Sequence, residues 1–491
     1  MTTMQEDRTT EDLTARKTRI AIFGAGITGL SAAKRLRELA PDVEVAVWDR
    51  ADRVGGVIGT RIVDGFLCET SVDNFITTLP WGLDLCKELG FQDELASTNS
   101  RFRRTFVVRR GRLYALPDGF MTMAPTKFYP MLTTPLLSPL GKLRCGLELL
   151  LPRRKSGEEE SLAAFAKRRL GKEAFERIIE PLVGGIYGGD AAKLSLQATL
   201  PRFAEMEEKS RSLIWAMTKT QRAARRVKRE EESGARYSFF ITLRCGMQAL
   251  PERLAERVGR ERVQLGRAVK AVARENDGRW RATDEQGVSE RFDAILFATD
   301  SGAAANALRD AAPEVARLYG QTDHTGVAIV HLAYRNEQIG KPVKGMGFVV
   351  PTSEGDGVIA GSFSSYKYPT RAPDGTTLLR VFVGGARAPE MVTLEHSELV
   401  ARVEGEVRKL LDVKGAPLIV DVARFPNAMP QYYLGRLEWR ERLRAALDAA
   451  PTLALAGNAL DGVGLPACVK SGYDAVDKVL NDLGIAVPKH D

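Results

Sequence analysis

Apolar residues along this chain fall into runs of distinct length and period. Four short continuous runs bounded by turn residues, at 20–23, 43–48, 292–299 and 453–456, have the length and β-branched character of strands buried on both faces. Helix-like spacing follows the first over 30–39, and a further helix ends at Leu483. Shorter strand-like runs lie at 101–116, 263–266, 267–272 and 280–283, and Val63-Asp64-Gly65-Phe66 reads as a hairpin turn. Helices are expected at 158–169 and 172–179. Between 320 and 430 the runs 327–334, 345–351, 357–362 and 378–385 outline an antiparallel sheet. The apolar, proline-punctuated stretch 120–151 ends in Arg153-Arg154-Lys155. It suits either a helical core with a basic rim or an interfacial membrane contact, and we read it as core. The charge-dense stretch 205–235, with Arg222, Arg225, Arg226, Lys228 and Arg229, reads as exposed helix and linker.

The order strand, turn, helix, strand, acid occurs once in full, over 20–53. The turn is Gly24-Ala25-Gly26-Ile27-Thr28-Gly29 and the acid is Asp49. Gly24 permits a tight turn, Gly26 lets backbone approach a pyrophosphate, and Gly29 lets helix pack close to strand. The helix N-terminus presents free N–H groups and a positive dipole end to the phosphates. Asp49 stands where a carboxylate takes ribose hydroxyls. The same region continues as Arg50-Ala51-Asp52-Arg53-Val54-Gly55-Gly56-Val57, in which Arg53 offers a cation and the paired glycines let backbone pass close to a cofactor.

A length of 491 residues suggests two or three domains, and 44% hydrophobic with 27% charged residues is ordinary for a soluble globular protein. The net charge of +8 admits nucleic acid, an anionic membrane surface or a polyanionic substrate. No zinc-finger spacing or aromatic-interleaved basic repeat appears, so no nucleic-acid partner is expected. Five scattered cysteines without Cys-x-x-Cys suit free thiols in a reducing cytoplasm, and four histidines show no metal-ligand spacing, so no metal is expected. Residues 1–17 are polar, carry no secretory signal and read as a disordered tail, and no run is long enough for a transmembrane helix.

The Arg-x-Gly-Gly segment resembles the one that follows the dinucleotide fold in the flavin amine-oxidase and protoporphyrinogen-oxidase superfamily. Glu180-Pro181-Leu182-Val183-Gly184-Gly185-Ile186-Tyr187-Gly188-Gly189-Asp190 resembles a segment of its bacterial porphyrinogen-oxidase branch. So do Phe239 to Pro251, Gly345-Met346-Gly347-Phe348, and Gly457-Asn458 with Gly462-Val463-Gly464-Leu465. The superfamily commonly has Asp where this chain has Ala467. The resemblance implies an α/β fold: a discontinuous Rossmann-like FAD-binding domain (18–100, 237–310 and 446–487), a helical cap (101–236) and an antiparallel substrate domain (311–445).

By that resemblance, FAD binds noncovalently, since the sequence around Gly464 lacks the cysteine that carries covalent flavin in monoamine oxidases. It would contact Gly24, Ala25, Gly26, Ile27, Thr28, Gly29, Asp49, Arg50, Arg53, Gly55, Gly56, Val57, the loop Ser71, Val72, Asp73 and Asn74, backbone at Val269, and Gly457, Asn458, Val463, Gly464 and Leu465. Substrate contacts would come from Arg104, Met346, Gly347 and Val349. No catalytic side chain is named, because the flavin carries the chemistry; His331 reads as a strand residue. The implied reaction is oxygen-dependent oxidation of protoporphyrinogen IX or coproporphyrinogen III in haem synthesis, in three flavin cycles with peroxide as product. An amine oxidase, a carotenoid desaturase or a non-catalytic flavin-binding haem-pathway partner are the alternatives. A cytoplasmic protein is expected, either free or peripheral on the inner face of the membrane. A homodimer and ferrochelatase or another haem-pathway enzyme are the candidate associations.

Overall fold

The computed structural model describes residues 16–121, 123–154, 157–219, 239–355 and 357–486. Most of the expected N-terminal tail and the arginines at 222–229 lie outside these residues.

The short apolar runs come together in one parallel sheet. Its order is Val263–Gln264, Glu44–Trp48, Arg19–Phe23, Ala294–Phe297, Leu453–Leu455, and every neighbouring pair is parallel. Alternate side chains leave by opposite faces, and both faces are covered. Ile20, Ile22, Val45, Val47 and Leu296 pack under the helices Ile27–Leu39 and Leu465–Asp482. Ala21, Phe23, Trp48, Ile295 and Phe297 meet the antiparallel strands Val269–Arg274, Trp280–Asp284 and Ser289–Phe292 and the helices Ser301–Leu308 and Pro313–Gly320. Burial on both faces is why these strands read as continuous apolar runs without alternation.

A second sheet has seven strands in the order Ile419–Pro430, His324–Arg335, Thr376–Gly384, Val358–Phe363, Gly347–Val349, Thr105–Arg109, Arg112–Ala115. The expected antiparallel outline of 320–430 is present, but the hairpin 105–115 also belongs to this sheet and not to a helical unit beginning at 101. Thr105–Arg109 pairs with Gly347–Val349 in parallel register, Val107 opposite Val349. Val107 then faces the helical core and Val108 the core beneath the sheet. Thr105–Arg109 thus has a core on each face. The hairpin Thr60–Val63/Phe66–Glu69 turns through Asp64 and Gly65 at φ +48° and +81°, the two-residue turn expected.

Helices dominate 128–218. The helix expected at 172–179 is α-helical only over Lys172–Ala174 and widens to a π-helix at Phe175–Ile179. Within the stretch 120–151 the apolar residues divide. Phe120, Met123, Met131, Leu136, Leu137 and Cys145 are core, whereas Tyr129, Leu132, Leu140, Leu143, Leu147 and Leu150 are exposed, at 42–78%. Core thus describes only half of that stretch. Among the described residues no helix is long and apolar enough to cross a membrane.

The helical region is pinned by a fully buried ion pair. Arg169 and Glu148 are both 0% exposed. The carboxylate also accepts from Ser212 Oγ at 2.6 Å and Leu213 N at 2.8 Å, and Arg169 donates to the carbonyl of Pro152 at 3.1 Å. Removing the cation strands a buried charge, whereas removing both partners does not. We expect Arg169→Leu to lower unfolding free energy by about 3–5 kcal/mol and the Arg169→Leu/Glu148→Leu pair to regain most of it. Urea denaturation checks this, and equal losses in the single and double variants would contradict it.

Candidate cofactor and substrate site

At the head of the central strand the chain turns with no room to spare. Gly24 has φ +109°, and a Cβ on Gly29 would lie 1.9 Å from the Gly24 carbonyl oxygen. Gly24 N donates to Trp48 O at 2.7 Å, tying the turn to the neighbouring strand. Gly26 differs: a Cβ there would meet only Gly56 Cα, at 3.9 Å. The three glycines expected for tight turn, ligand approach and close packing therefore occupy three matching environments. The helix Ile27–Leu39 has neither a side-chain N-cap nor an acid in its first turn, so its N–H groups and dipole face outward.

A second helix with an uncapped N-terminus packs against this one. The helix Leu465–Asp482 starts at Gly464 with no side-chain cap and no acid in its first turn. Its Gly472 packs so closely that a Cβ would sit 2.5 Å from the Thr28 carbonyl oxygen. The turn before it is held by Tyr432, whose hydroxyl donates to the Asn458 carbonyl and accepts from Gly462 N at 2.8 Å. Ser471 Oγ accepts from Gly457 N at 2.9 Å. Val463 packs against the helical core, so the loop 457–465 touches the helices.

Asp49 and Arg53 act on the protein itself. Asp49 Oδ2 accepts from Ala25 N at 2.6 Å and Oδ1 from Ala51 N at 2.8 Å, which fixes the loop through both oxygens and leaves lone pairs on each. Asp49 O accepts from Arg267 N at 2.7 Å, bringing Val269 two residues away. Arg53, expected as a cation for the pyrophosphate, spends its donors on the carbonyls of Ile58 and Gly56, each at 2.8 Å, and on Gln248 Oε1 at 3.2 Å. It shapes the Gly55-Gly56 turn, whose Gly55 N donates to Ala25 O at 2.8 Å. Arg50 is exposed and lies 3.6 Å from Asp300.

The loop Ser71–Asn74 is held by cations that sequence reasoning missed. Arg380 donates to the Ser71 carbonyl and lies 3.4 Å from Asp73; Lys367 pairs with Asp73 at 2.9 Å. Beneath, Arg371 pairs with Glu69 at 2.8 Å. Arg380 is 2% exposed. The signal for it was a lone arginine in the apolar run Leu378-Leu379-Arg380-Val381, where a charge must have a partner. Lys367 sits in the polar segment Ser364-Ser365-Tyr366-Lys367 with no such contrast.

The proposed substrate residues are only partly brought together. Met346 N donates to Arg104 O at 2.8 Å, so the backbone of the two is adjacent, but the Arg104 side chain is exposed. Gly347 lies against the neighbouring strand, a Cβ meeting Gly361 O at 2.4 Å, and Val349 packs on the helix Glu180–Tyr187 at Gly185. Of the segment 180–190, residues Glu180–Tyr187 form that helix, closed by Gly188 at φ +58°. A cavity of about 620 Å³ opens between it and the second sheet, lined by Lys167, Phe175, Glu180, Asp190, Thr352 and Arg387. That volume falls in the range of small-molecule sites.

Burial raises the Asp73 carboxyl, but Lys367 and Arg380 outweigh it and hold it down, from its ordinary 3.8 to about 2. A carboxyl depressed in the folded state adds stability above its free value and loses it as pH falls through its folded value. We expect Asp73→Asn to cost about 2 kcal/mol in urea unfolding at pH 7, with the gap to wild type shrinking from about pH 4 toward pH 2. A gap that stayed constant with pH would contradict the assignment.

Residues 27–480 match the model of the flavin containing amine oxidoreductases. The chain is 32% identical to coproporphyrinogen III oxidase of Bacillus subtilis over 95% of this chain and 99% of that one. It is 31% identical to chloroplastic protoporphyrinogen oxidase of Nicotiana tabacum, over 93% and 84%. A solved Exiguobacterium structure, provisionally described as a protoporphyrinogen oxidase, superposes with TM-score 0.83 at 29% identity over 96% of this chain and 99% of that one. Cyclohexylamine oxidase from Brevibacterium oxydans, at TM-score 0.68 and 18% identity over 96% and 100%, shares the fold. With the cofactor turn, the two converging helices and these matches, the chain belongs to the flavin containing amine oxidoreductase family.

Proposed function

We propose that this protein is an FAD-dependent, oxygen-consuming porphyrinogen oxidase of haem biosynthesis, with coproporphyrinogen III as its substrate. The observation that carries this is the near full-length similarity to coproporphyrinogen III oxidases, 32–34% identical over 92–99% of their length. The residues fit a dinucleotide flavin. The open Cα of Gly26, two uncapped helix N-termini and the free lone pairs of Asp49 suit a pyrophosphate and a ribose. The layout in three flavin-binding segments is supported by a parallel sheet whose strands come from all of them.

Bound FAD would supply the electron acceptance, and oxygen would restore it. The protein's part is position. Val463, Gly464 and Leu465 would present the second helix N-terminus, whose dipole favours negative charge on the reduced cofactor. Arg380 and Lys367 hold Ser71–Asn74 in place, so that the loop need not reorder when ligand arrives. Met346, Gly347 and Val349 would contact the substrate, and the exposed guanidinium of Arg104 is available to a propionate.

The decisive assay reconstitutes apoprotein with FAD or with FMN and supplies coproporphyrinogen III or protoporphyrinogen IX in air, against a protein-free blank. We expect porphyrin fluorescence to outrun the blank with FAD only, and faster with coproporphyrinogen III. Faster turnover of protoporphyrinogen IX reverses the substrate assignment. No excess over the blank with either, in flavin-loaded protein, overturns the reaction and favours an amine oxidase or a non-catalytic flavin protein.

The exposed row Tyr129, Leu132, Leu140, Leu143, Leu147 and Leu150, with Lys142 and Arg153 beside it, supports peripheral contact with an anionic bilayer. Co-sedimentation with phosphatidylglycerol vesicles should exceed that with phosphatidylcholine and should fall in Leu140→Asp/Leu150→Asp. Equal sedimentation of this variant and wild type would dismiss the contact.

A further inference from the structure

Three side chains that the reaction does not use meet beneath the flavin-side loop. His331 and Asp421 stand opposite each other on neighbouring strands of the second sheet. Cys68, on the hairpin strand Phe66–Glu69, is laid over them. One donor atom from each of the three lies within 4.8 Å of the other two. His331 is 1% exposed and Cys68 0%. Yet neither ring nitrogen of His331 has a hydrogen-bond partner, and neither does Asp421 Oδ2. A buried imidazole whose nitrogens make no hydrogen bond of ordinary geometry is costly, and two metal-ligand types, Cys68 and Asp421, stand within 4.8 Å of it.

We propose that Cys68, His331 and Asp421 bind one zinc-class divalent ion. A tetrahedral ion with bonds of about 2.1 Å to nitrogen and oxygen sets those donors about 3.4 Å apart. His331 Nδ1 and Asp421 Oδ2 are 3.4 Å apart, at the long limit for a hydrogen bond but at that edge length. Thiolate, imidazole and carboxylate together are a zinc donor set, with the fourth position left for water. The nearby cations do not oppose it. Arg61 donates to Asp421 Oδ1 at 2.7 Å, which orients the carboxylate and leaves Oδ2 facing the site. Arg380 is answered by Asp73. Burial holds the Cys68 thiol protonated, so the ion enters by displacing that proton to solvent. Charge then balances: the dication faces one thiolate and one carboxylate. The half-exposed Arg61 side chain, above Asp421, marks the way in. The ion would cross-link the hairpin 60–69 to the second sheet, directly below Glu69 and the loop 71–74.

The test uses the full chain with its flavin, in a Cys245→Ser background, because Cys245 is an exposed thiol able to take metal by itself. After chelator treatment, Co²⁺ is titrated in as the probe and then displaced with Zn²⁺. We expect one Co²⁺ per chain, tetrahedral visible bands to the red of the flavin, and their loss on adding one equivalent of Zn²⁺. Affinity should fall at least about a hundredfold in Cys68→Ala and in Asp421→Asn, and about tenfold in Arg61→Ala, which removes only the orienting partner. Flavin content and melting temperature in metal-free buffer identify variants that fail to fold; Asp421→Asn, of nearly unchanged size, decides if Cys68→Ala is among them. Absence of tetrahedral bands in the unsubstituted site, or bands that survive both substitutions in folded protein, would overturn the proposal.

Discussion

The contact on which the rest depends is the one between Gly29 and the carbonyl of Gly24, at the head of the central parallel strand. A single methyl group there would overlap the carbonyl oxygen. Because Gly29 has none, the helix Ile27–Leu39 can lie against the sheet with its first turn directly over the strand end. The helix Leu465–Asp482 then uses Gly472 to reach the Thr28 carbonyl in the same way. Two close approaches of backbone to backbone thus lock the two helices together, and each helix keeps an uncapped N-terminus with its own partial positive charge.

Arg53 braces the turn that follows. A guanidinium that saturates three backbone carbonyls and a glutamine stiffens a turn that glycine alone would leave floppy. Charge enters the site from another direction. Arg380 from the second sheet and Lys367 from the short helix Ser364–Lys367 hold Ser71–Asn74, with Arg371 and Glu69 completing a cluster of alternating sign. Buried pairs of this kind are expensive to assemble and more expensive to break singly. They fix the loop's position more than they add to stability. The loop is covalently part of the first sheet's stretch of chain but is held by the second.

The two halves of the protein differ in how they use buried charge. Among the helices, Glu148 and Arg169 close a core, while Tyr129, Leu132, Leu140, Leu143, Leu147 and Leu150 stay exposed. The sheet between these regions is mixed because its last two strands, Thr105–Arg109 and Arg112–Ala115, are borrowed from the stretch that leads into the helices. The borrowed hairpin sets Arg104 next to Met346 and brings the helix Glu180–Tyr187 over Val349.

Local spacing along the chain determined the glycine turn, Asp49, the hairpin at 63–66, the four buried strands and the likeness to a flavoenzyme family. Each of these is a property of neighbours in sequence, where steric limits on backbone and the period of apolar residues act directly. Tertiary structure alone decided that Arg53 faces its own loop, that strands 105–115 join the second sheet, and that half of the 120–151 stretch faces outward. It also brought Lys367, Arg380 and Asp73 into one cluster, and Cys68, His331 and Asp421 into another. A side chain's partners depend on which strands pair and which face is covered. Strand pairing joins residues hundreds of positions apart, and no pattern within a window of the chain records it.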